Sequence, residues 1–591
     1  MVSGAEGNPF YVEELIKMLI DEQVIVPGEE AWQVASGRLA QVRVPPTLTS
    51  VLQARLDALP PLERETLQRA SVIGRVFWDE AVNFLSAGSQ APSPPAGALA
   101  AREAETQDTS TPDVFTSLRH KELIYGRETC TFIGTSEYIF KHAILRDVTY
   151  ETVLKKVRRV YHAQAAAWLI EKSGERANEY AALIAEHFER AGETAQVAEW
   201  YGRAGDQARL SYAPDAAIGY YQQALELAMT FQASETWKVS WYKGLGEALR
   251  ARARYPEALE AYSAMRAAAA GEAISEARAW NGLADVQFSQ GDNRALLESA
   301  VQAETIARGA GEAARMELAE ALFRKGWALY RLGEAAGTLV WGEQALALCA
   351  ELSDEADRLP YIRRRARRRA RLQAGSLNLL SGAHWVLGHF EQADDSMEQA
   401  LAVYQELDDW RGIKVALNSL GETARLRGDH NAAAARYQEA LTIIGEIGDR
   451  DLEIGTGTTG WYALPETYSL LAEVCLGQGK MAEALDVAQR AMTLAQQAGA
   501  PDEIGRAWRA LGRVAARLKT PIVVDEQTYT SADCFAQSLT QLTAAGMEQE
   551  YARTLLAWAE YELEDGDQEQ GQAKQREAQA IFGRWEMQLA P

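Results

Sequence analysis

A small residue recurs nine times along the last two-thirds of this 591-residue chain, and that recurrence constrains the fold more than any other feature. The positions are Gly205, Gly246, Ala284, Gly326, Ser381, Gly421, Ala472, Gly512 and Ala559, at intervals of 41, 38, 42, 55, 40, 51, 40 and 47. The base period is therefore close to 40, with three longer steps that mark insertions. The stretch ALNSLGETARLRGDHNAAAARYQEAL, residues 416–441, shows the grammar of one copy. It puts Leu417, Leu420 and Gly421 on a first helix, Gly428 at a turn, and Ala433, Tyr437 and Ala440 on a second. Small residues let the two helices approach, and large ones such as Tyr262 and Tyr437 fill the remaining space. One such pair cannot bury its apolar stripe alone, so neighbours must stack into a superhelix.

The pattern resembles the tetratricopeptide repeat in its longer, 40-residue variety. The likeness is strongest at 205–224 (GDQARLSYAPDAAIGYYQQA), 421–440 and 472–491, and weaker around Ser381 and Ala559, where Ser or Ala replaces Gly. It spans residues 196–591 in about nine repeats. The expected fold is all-α: a tetratricopeptide-repeat superhelix preceded by a winged-helix-like domain with a small β-hairpin.

Composition narrows the function. The net charge of −23 argues against nucleic acid or an anionic lipid surface as a general partner. A hydrophobic fraction of 47% excludes wholesale disorder. No apolar run approaches the roughly 18 residues a membrane helix needs, and Glu6, Glu13 and Glu14 interrupt the N-terminus, against a spanning segment or secretory signal. Cys130, Cys349, Cys475 and Cys534 lie far apart, which disfavours a disulfide framework or zinc finger and fits a cytoplasmic setting.

The front third has a different character. Residues 10–23 carry apolar side chains at helical spacing; 47–59, 61–71 and 77–85 read as further helices, the first two separated at Pro60-Pro61. Residues 86–112 are rich in Ala, Pro, Ser and Gly without apolar periodicity and read as a flexible insertion. A helix over 113–121 follows, and 123–140 alternates about a turn at Gly134-Thr135-Ser136, as a short hairpin does. Helices with a two-stranded wing suggest a winged-helix-like domain over 26–141, and helices of 142–195 bridge to the repeats.

Three blocks sharpen this reading: AEGNPFYVEELIKMLIDEQVI, VPPTLTSVLQARLDALPPLERETLQRASVIG and EYIFKHAILRDVTYETV. In this order they resemble the C-terminal half of STAND-type signalling ATPases, bacterial regulators that join an AAA-like ATPase to tetratricopeptide repeats, often beside a nucleotide-cyclase domain. In that family a Gly-Asn-Pro segment lies in the helical lid after the ATPase core, and its proline packs against nucleotide. The resemblance thus makes residues 1–25 a lid remnant and gives Asn8 and Pro9 a cofactor-binding role only alongside an ATPase core. ATP or ADP is implied for the full-length family protein alone; no cofactor is expected in this chain. No G-x-x-x-x-G-K-[ST] is present to cradle phosphates. The chain is expected to be a non-catalytic part of a longer protein, a reading that the Met1-Val2-Ser3-Gly4 start favours, or the ATPase is encoded elsewhere or lost. The alternatives are a split ATPase subunit that completes a nucleotide site with a separate chain, and a transcription regulator that binds DNA through the winged helix.

Other motifs are weaker. The G-x-G-x-x-G match at 455–460 lies in a repeat connection rather than after a strand, and reads as an insertion. Seven arginines within 363–371 read mainly as a solvated helix facing acidic neighbours. His142 beside Asp147 has no nucleophile motif and reads as a packing histidine; no metal site is expected. The inner groove of the superhelix is the expected functional surface, with a protein or peptide as its ligand and an ATPase core in cis or trans as a further partner. A small-molecule inducer is the second candidate. Asn281, Asn378 and Asn418 each precede a small residue by three and are suited to hydrogen-bonding an extended backbone. Arg506, Arg509, Arg513 and Arg517 form a stripe suited to acidic groups, the first three being the candidate contacts, and Trp327, Tyr330 and Trp385 add aromatic area.

Overall fold

A computed structural model of the chain describes residues 9–26, 28, 32–35, 45, 47–87, 114–352, 360–453 and 464–584. They are predominantly α-helical and fall into two units, 1–257 and 258–591.

In the first unit, helix Pro9–Asp21 buries Tyr11, Leu15, Met18 and Leu19 against Val51 of helix Leu48–Asp57. The buried Arg55 guanidinium pairs with the equally buried Glu14, reaches Asp21 at 3.2 Å and donates to the Lys121 carbonyl at 3.1 Å. These bonds tie the first helix to two later segments. Thr47 caps Leu48–Asp57 through a reciprocal box with Ser50. Helix Pro61–Ile73 follows, with proline at its first position, where no N–H is needed.

Two readings of this region need correction. The helix expected over 77–85 begins only at Asp79, because Val76–Trp78 forms strand β3. That strand joins the expected hairpin strands, β4 (Ile124–Gly126) and β5 (Glu137–Phe140), in an antiparallel sheet of order β3-β5-β4. Phe77 and Trp78 are buried, and the Trp78 ring stacks on Trp168 at 5.4 Å. Tertiary burial therefore overrode the helical spacing read from sequence. The second correction is a short pair of strands, β1 (Ile25–Val26) with β2 (Gln33–Val34), not foreseen from sequence. Of the flexible insertion, Ser86 and Ala87 close helix Asp79–Ala87, and 88–112 lie outside the described residues.

The repeats begin in the first unit with helices Thr194–Leu210 and Pro214–Ala228. The second unit stacks seven further pairs, from Ala273–Gln290 with Asn293–Gly309 to Glu548–Asp565 with Gln568–Arg584. The recurring small residue has the role its position implies. A Cβ on Gly421 would lie 2.5 Å from the fully buried Tyr437 ring, and one on Gly512 2.9 Å from Phe535. The long steps in the period also acquire content. The step of 55 contains the 27-residue helix Pro360–Val386. The step of 47 contains a hairpin, β6 (Ile522–Val524) with β7 (Gln527–Tyr529), where no strand was expected. The glycine-rich 455–460 segment lies outside the described residues.

Candidate functional site

First helices of successive pairs in the second unit line a cavity of about 1090 Å³. At one end, Trp327 and Tyr330 stand one turn apart on helix Arg315–Arg331, with their rings edge to face at 5.5 Å. Phe288, from helix Ala273–Gln290, meets Trp327 edge to face at 5.6 Å. Trp385 and Asn378 come from the next first helix, Pro360–Val386. Burial pushes the Tyr330 hydroxyl up from its ordinary value. Arg331 stacks its guanidinium over Phe288 at 3.8 Å and donates from Nη1 to the Phe288 carbonyl at 2.9 Å.

At the other end, acids and bases interlock. Arg506 Nη1 reaches Glu466 at 3.1 Å and Glu503 at 3.0 Å, and Glu466 also accepts from Lys414 at 2.6 Å. Arg509 meets Glu550 at 2.6 Å and Glu473 at 3.7 Å; Arg553 meets Glu550 at 2.9 Å. Burial alone would raise Glu466, Glu473 and Glu550, but the surrounding Lys414 and arginine charges outweigh it and hold all three below the usual carboxylate range. Glu503 goes the other way: burial pushes it up to about 7, and Arg506 offsets this only in part.

This geometry revises several sequence expectations. Asn281 is not a free rung for a ligand: it is buried and donates to the Glu317 carbonyl at 2.9 Å, bonding one repeat to the next. Asn418 lines the cavity, but its amide is already engaged with the Thr467 hydroxyl at 3.1 Å. Asn378 lines the cavity and makes no side-chain hydrogen bond among the described residues. Trp327, Tyr330 and Trp385 all line it. Arg506 and Arg509 line it too, yet as partners of carboxylates rather than as free anchors. Arg513 is not among the lining residues and bridges Glu473 at 3.4 Å to Glu560 at 3.1 Å. Asn8 lies outside the described residues, and Pro9 is the exposed first residue of its helix.

Sequence reasoning missed the acidic partners, although a signal for them existed. Arg506 and Glu466 are 40 residues apart, Arg513 and Glu473 40, Arg509 and Glu550 41, and Arg324 and Asp285 39. Opposite charges one repeat period apart mark neighbouring first helices. The arginine run also joins this scheme through Arg368, which contacts Glu320 at 2.6 Å and Glu317 at 3.1 Å. Arg363, Arg364 and Arg365 have side chains outside the description. Arg331 was missed because nothing in its local sequence distinguishes it from a solvated arginine.

Elsewhere, His142 lies 5.2 Å edge-on from Phe10 and 3.6 Å from Glu14, so it packs against the first helix. Among the described residues no group of three or more His, Cys, Asp or Glu side chains is placed to hold a metal ion, and no helix is long and apolar enough to cross a membrane.

Residues 372–444 match the tetratricopeptide repeat family. No curated protein matches the chain. Among solved structures, it is similar to a Rap protein complexed with competence and sporulation factor, at 13% identity and a TM-score of 0.46, over 66% of this chain and 99% of that one. It is similar to the apo form of the quorum sensor NprR from B. thuringiensis, at 14% identity and a TM-score of 0.43, over 65% and 98%. A STAND protein with a tetratricopeptide repeat sensor from Pyrococcus horikoshii is 14% identical with a TM-score of 0.35, over 84% and 69%. At these scores none of the three bears on the ligand or role of this chain.

Proposed function

We propose that this chain is a non-catalytic binding scaffold, and that the inner groove of its repeats takes an extended protein or peptide segment. The cavity carries the proposal: consecutive first helices present aromatic faces, an amide (Asn378) with no side-chain hydrogen bond among the described residues, and polar walls along one continuous surface. Its volume of about 1090 Å³ lies at the upper edge of small-molecule pockets, roughly 300–1,000 Å³, which favours a chain segment over a compact inducer. Trp327, Tyr330 and Trp385 supply area at low entropy cost, as anchors at binding hot spots do.

The three blocks in the first 153 residues support a finer reading. In it, the chain is the sensor portion of a STAND-type signalling ATPase. Residues 26–141 form its winged-helix-like regulatory domain, and Asn8 and Pro9 meet nucleotide only when an ATPase core is supplied in cis or trans. Ligand capture on the repeats would then bias that core.

The groove assignment is tested with Trp385→Ala and Asn378→Ala against a panel of fluorescent peptides. Both side chains line the cavity and are only partly buried, so melting should change little. Peptide affinity should fall by roughly 1–2 kcal/mol for each. Unchanged affinity in both variants would sink the groove assignment.

A further inference from the structure

We infer that the groove selects a ligand segment by a single carboxylate, held by Arg331 and flanked by an apolar side chain that packs among Trp327, Tyr330 and Trp385. This rests on the groove reading above and names the chemistry of its occupant.

Arg331 differs from the other basic residues of the cavity. Arg506, Arg509 and Arg553 each have a carboxylate at 3.1 Å or closer. Arg331 has none within 4 Å among the described residues; its contacts are the Phe288 ring and the Phe288 carbonyl. A guanidinium has five N–H donors in one plane. Stacking occupies its face and the carbonyl takes one donor, which leaves its other N–H groups without a partner among the described residues, on a side chain that lines the cavity. Burial opposes its charge, and no nearby carboxylate supports it. A partly desolvated cation without a counter-charge gains from one, and a bidentate carboxylate is the group that best complements its edge.

The surroundings limit the class of anion. Among the described lining residues, five glutamates stand against four arginines, so the cavity as a whole is acidic. A chain of phosphates needs several unpaired cations, whereas one carboxylate matches Arg331, the lining arginine without a carboxylate partner among the described residues. The aromatic rings beside Arg331 call for an apolar side chain next to that carboxylate. Asn378 can both donate to and accept from the ligand's backbone. The fitting occupant is thus an extended peptide segment with one Asp, Glu or terminal carboxylate adjacent to a large apolar residue.

The test uses the full chain and fluorescein-labelled octapeptides in which one Asp or Glu adjoins Phe, Leu or Trp. Each peptide has a twin carrying Asn or Gln instead, and binding is read by fluorescence polarisation. The expected result is that acidic members bind roughly tenfold to a hundredfold more tightly than their twins. Arg331→Gln should abolish that preference while leaving twin binding in place, and Arg331→Lys should keep part of it, since charge survives while the fork is lost. Should Arg331→Gln lower the melting temperature, the Lys variant still separates charge from fold. Equal binding of acids and twins, with both weakened by Trp385→Ala, would overturn the carboxylate inference and leave the groove reading intact. Binding that neither Arg331→Gln nor Trp385→Ala alters would overturn both.

Discussion

A pair of buried histidines shows what single residues contribute that sequence spacing hides. His162 and His187 face each other Nδ1 to Nδ1 at 2.9 Å, and the Tyr150 hydroxyl meets His162 Nε2 at 2.9 Å. One proton at most can lie between the two Nδ1 atoms, so both rings cannot be charged. Burial first, then the neighbouring ring and Arg190, Arg146 and Arg158, depress His162 to about 3; burial with Arg190 and Arg146 depresses His187 to about 4. Folded-state values below the ordinary 6.5 mean that the unfolded chain binds more protons between those limits. Stability of the first unit should therefore be full above pH 6.5 and fall as pH drops from 6.5 toward 4, by about 1–3 kcal/mol per histidine. Hydrogen exchange of helices Lys155–Ser173 and Ala181–Ala191, corrected for intrinsic rates, should speed up from pH 7 to pH 5. His187→Gln should flatten that change; an identical slope in the variant would refute the assignment. The pair was not legible in sequence, because 25 residues separate the rings; His142 has a carboxylate nearby in sequence, but that carboxylate, Asp147, bonds Arg146 at 3.1 Å.

Elements were legible where a period carried them and obscure where only burial did. Helices such as Pro9–Asp21 and Trp410–Leu426 follow their apolar spacing closely. Strand β3 did not, since a three-residue strand has too few positions to show alternation. The β6–β7 hairpin was visible only as extra length in the period. Its loop is two residues, Asp525 and Glu526, with φ of 49° and 64°, flanked by the Val524–Gln527 pair. This is the geometry of a type I′ turn, which favours Asn and Gly over the residues present. Ile522 and Val524 are buried in the adjoining core, and Tyr529 packs on Trp508 at 4.8 Å, so the hairpin closes one side of its repeat pair. Asp525→Asn with Glu526→Gly should relieve the left-handed strain and stabilise by about 0.5–1 kcal/mol. A denaturant melt checks the sign; destabilisation would mean that the Gln496 bond to Asp525 at 2.7 Å outweighs the backbone preference.

At the largest scale, the second unit is held in register by side-chain charges as well as by its apolar seams. The sequence displayed the apolar seams as a repeat of small residues, but its charges read as solvated faces because partners sit a full period away. Structure converts the arginine stripe into rungs of unequal weight. Arg509 and Glu550 are both nearly buried, at 8% and 10% side-chain exposure, whereas Arg517 and Glu564, 3.7 Å apart, are at 61% and 60%. Removing one member of a buried pair strands the other charge, which costs about 3–5 kcal/mol, while an exposed pair contributes about 0–1 kcal/mol. Arg509→Ala should therefore destabilise the second unit strongly, and Arg517→Ala only slightly. In a stack governed by nearest-neighbour interfaces, the damage should also stay local. Hydrogen exchange in Arg509→Ala should rise across helices Leu464–Gly477, Pro501–Leu518 and Glu548–Asp565, and remain near wild type across Ala273–Gln290 and Arg315–Arg331. The double change of Arg509 and Glu550 to methionine and leucine should recover only part of the loss, because it removes the stranded Glu550 charge but takes a partner from Arg553 and from Glu473. Uniform exchange across all seven pairs of the unit would instead mean that the stack unfolds as one cooperative body, and that these charge rungs couple repeats well beyond their immediate neighbours.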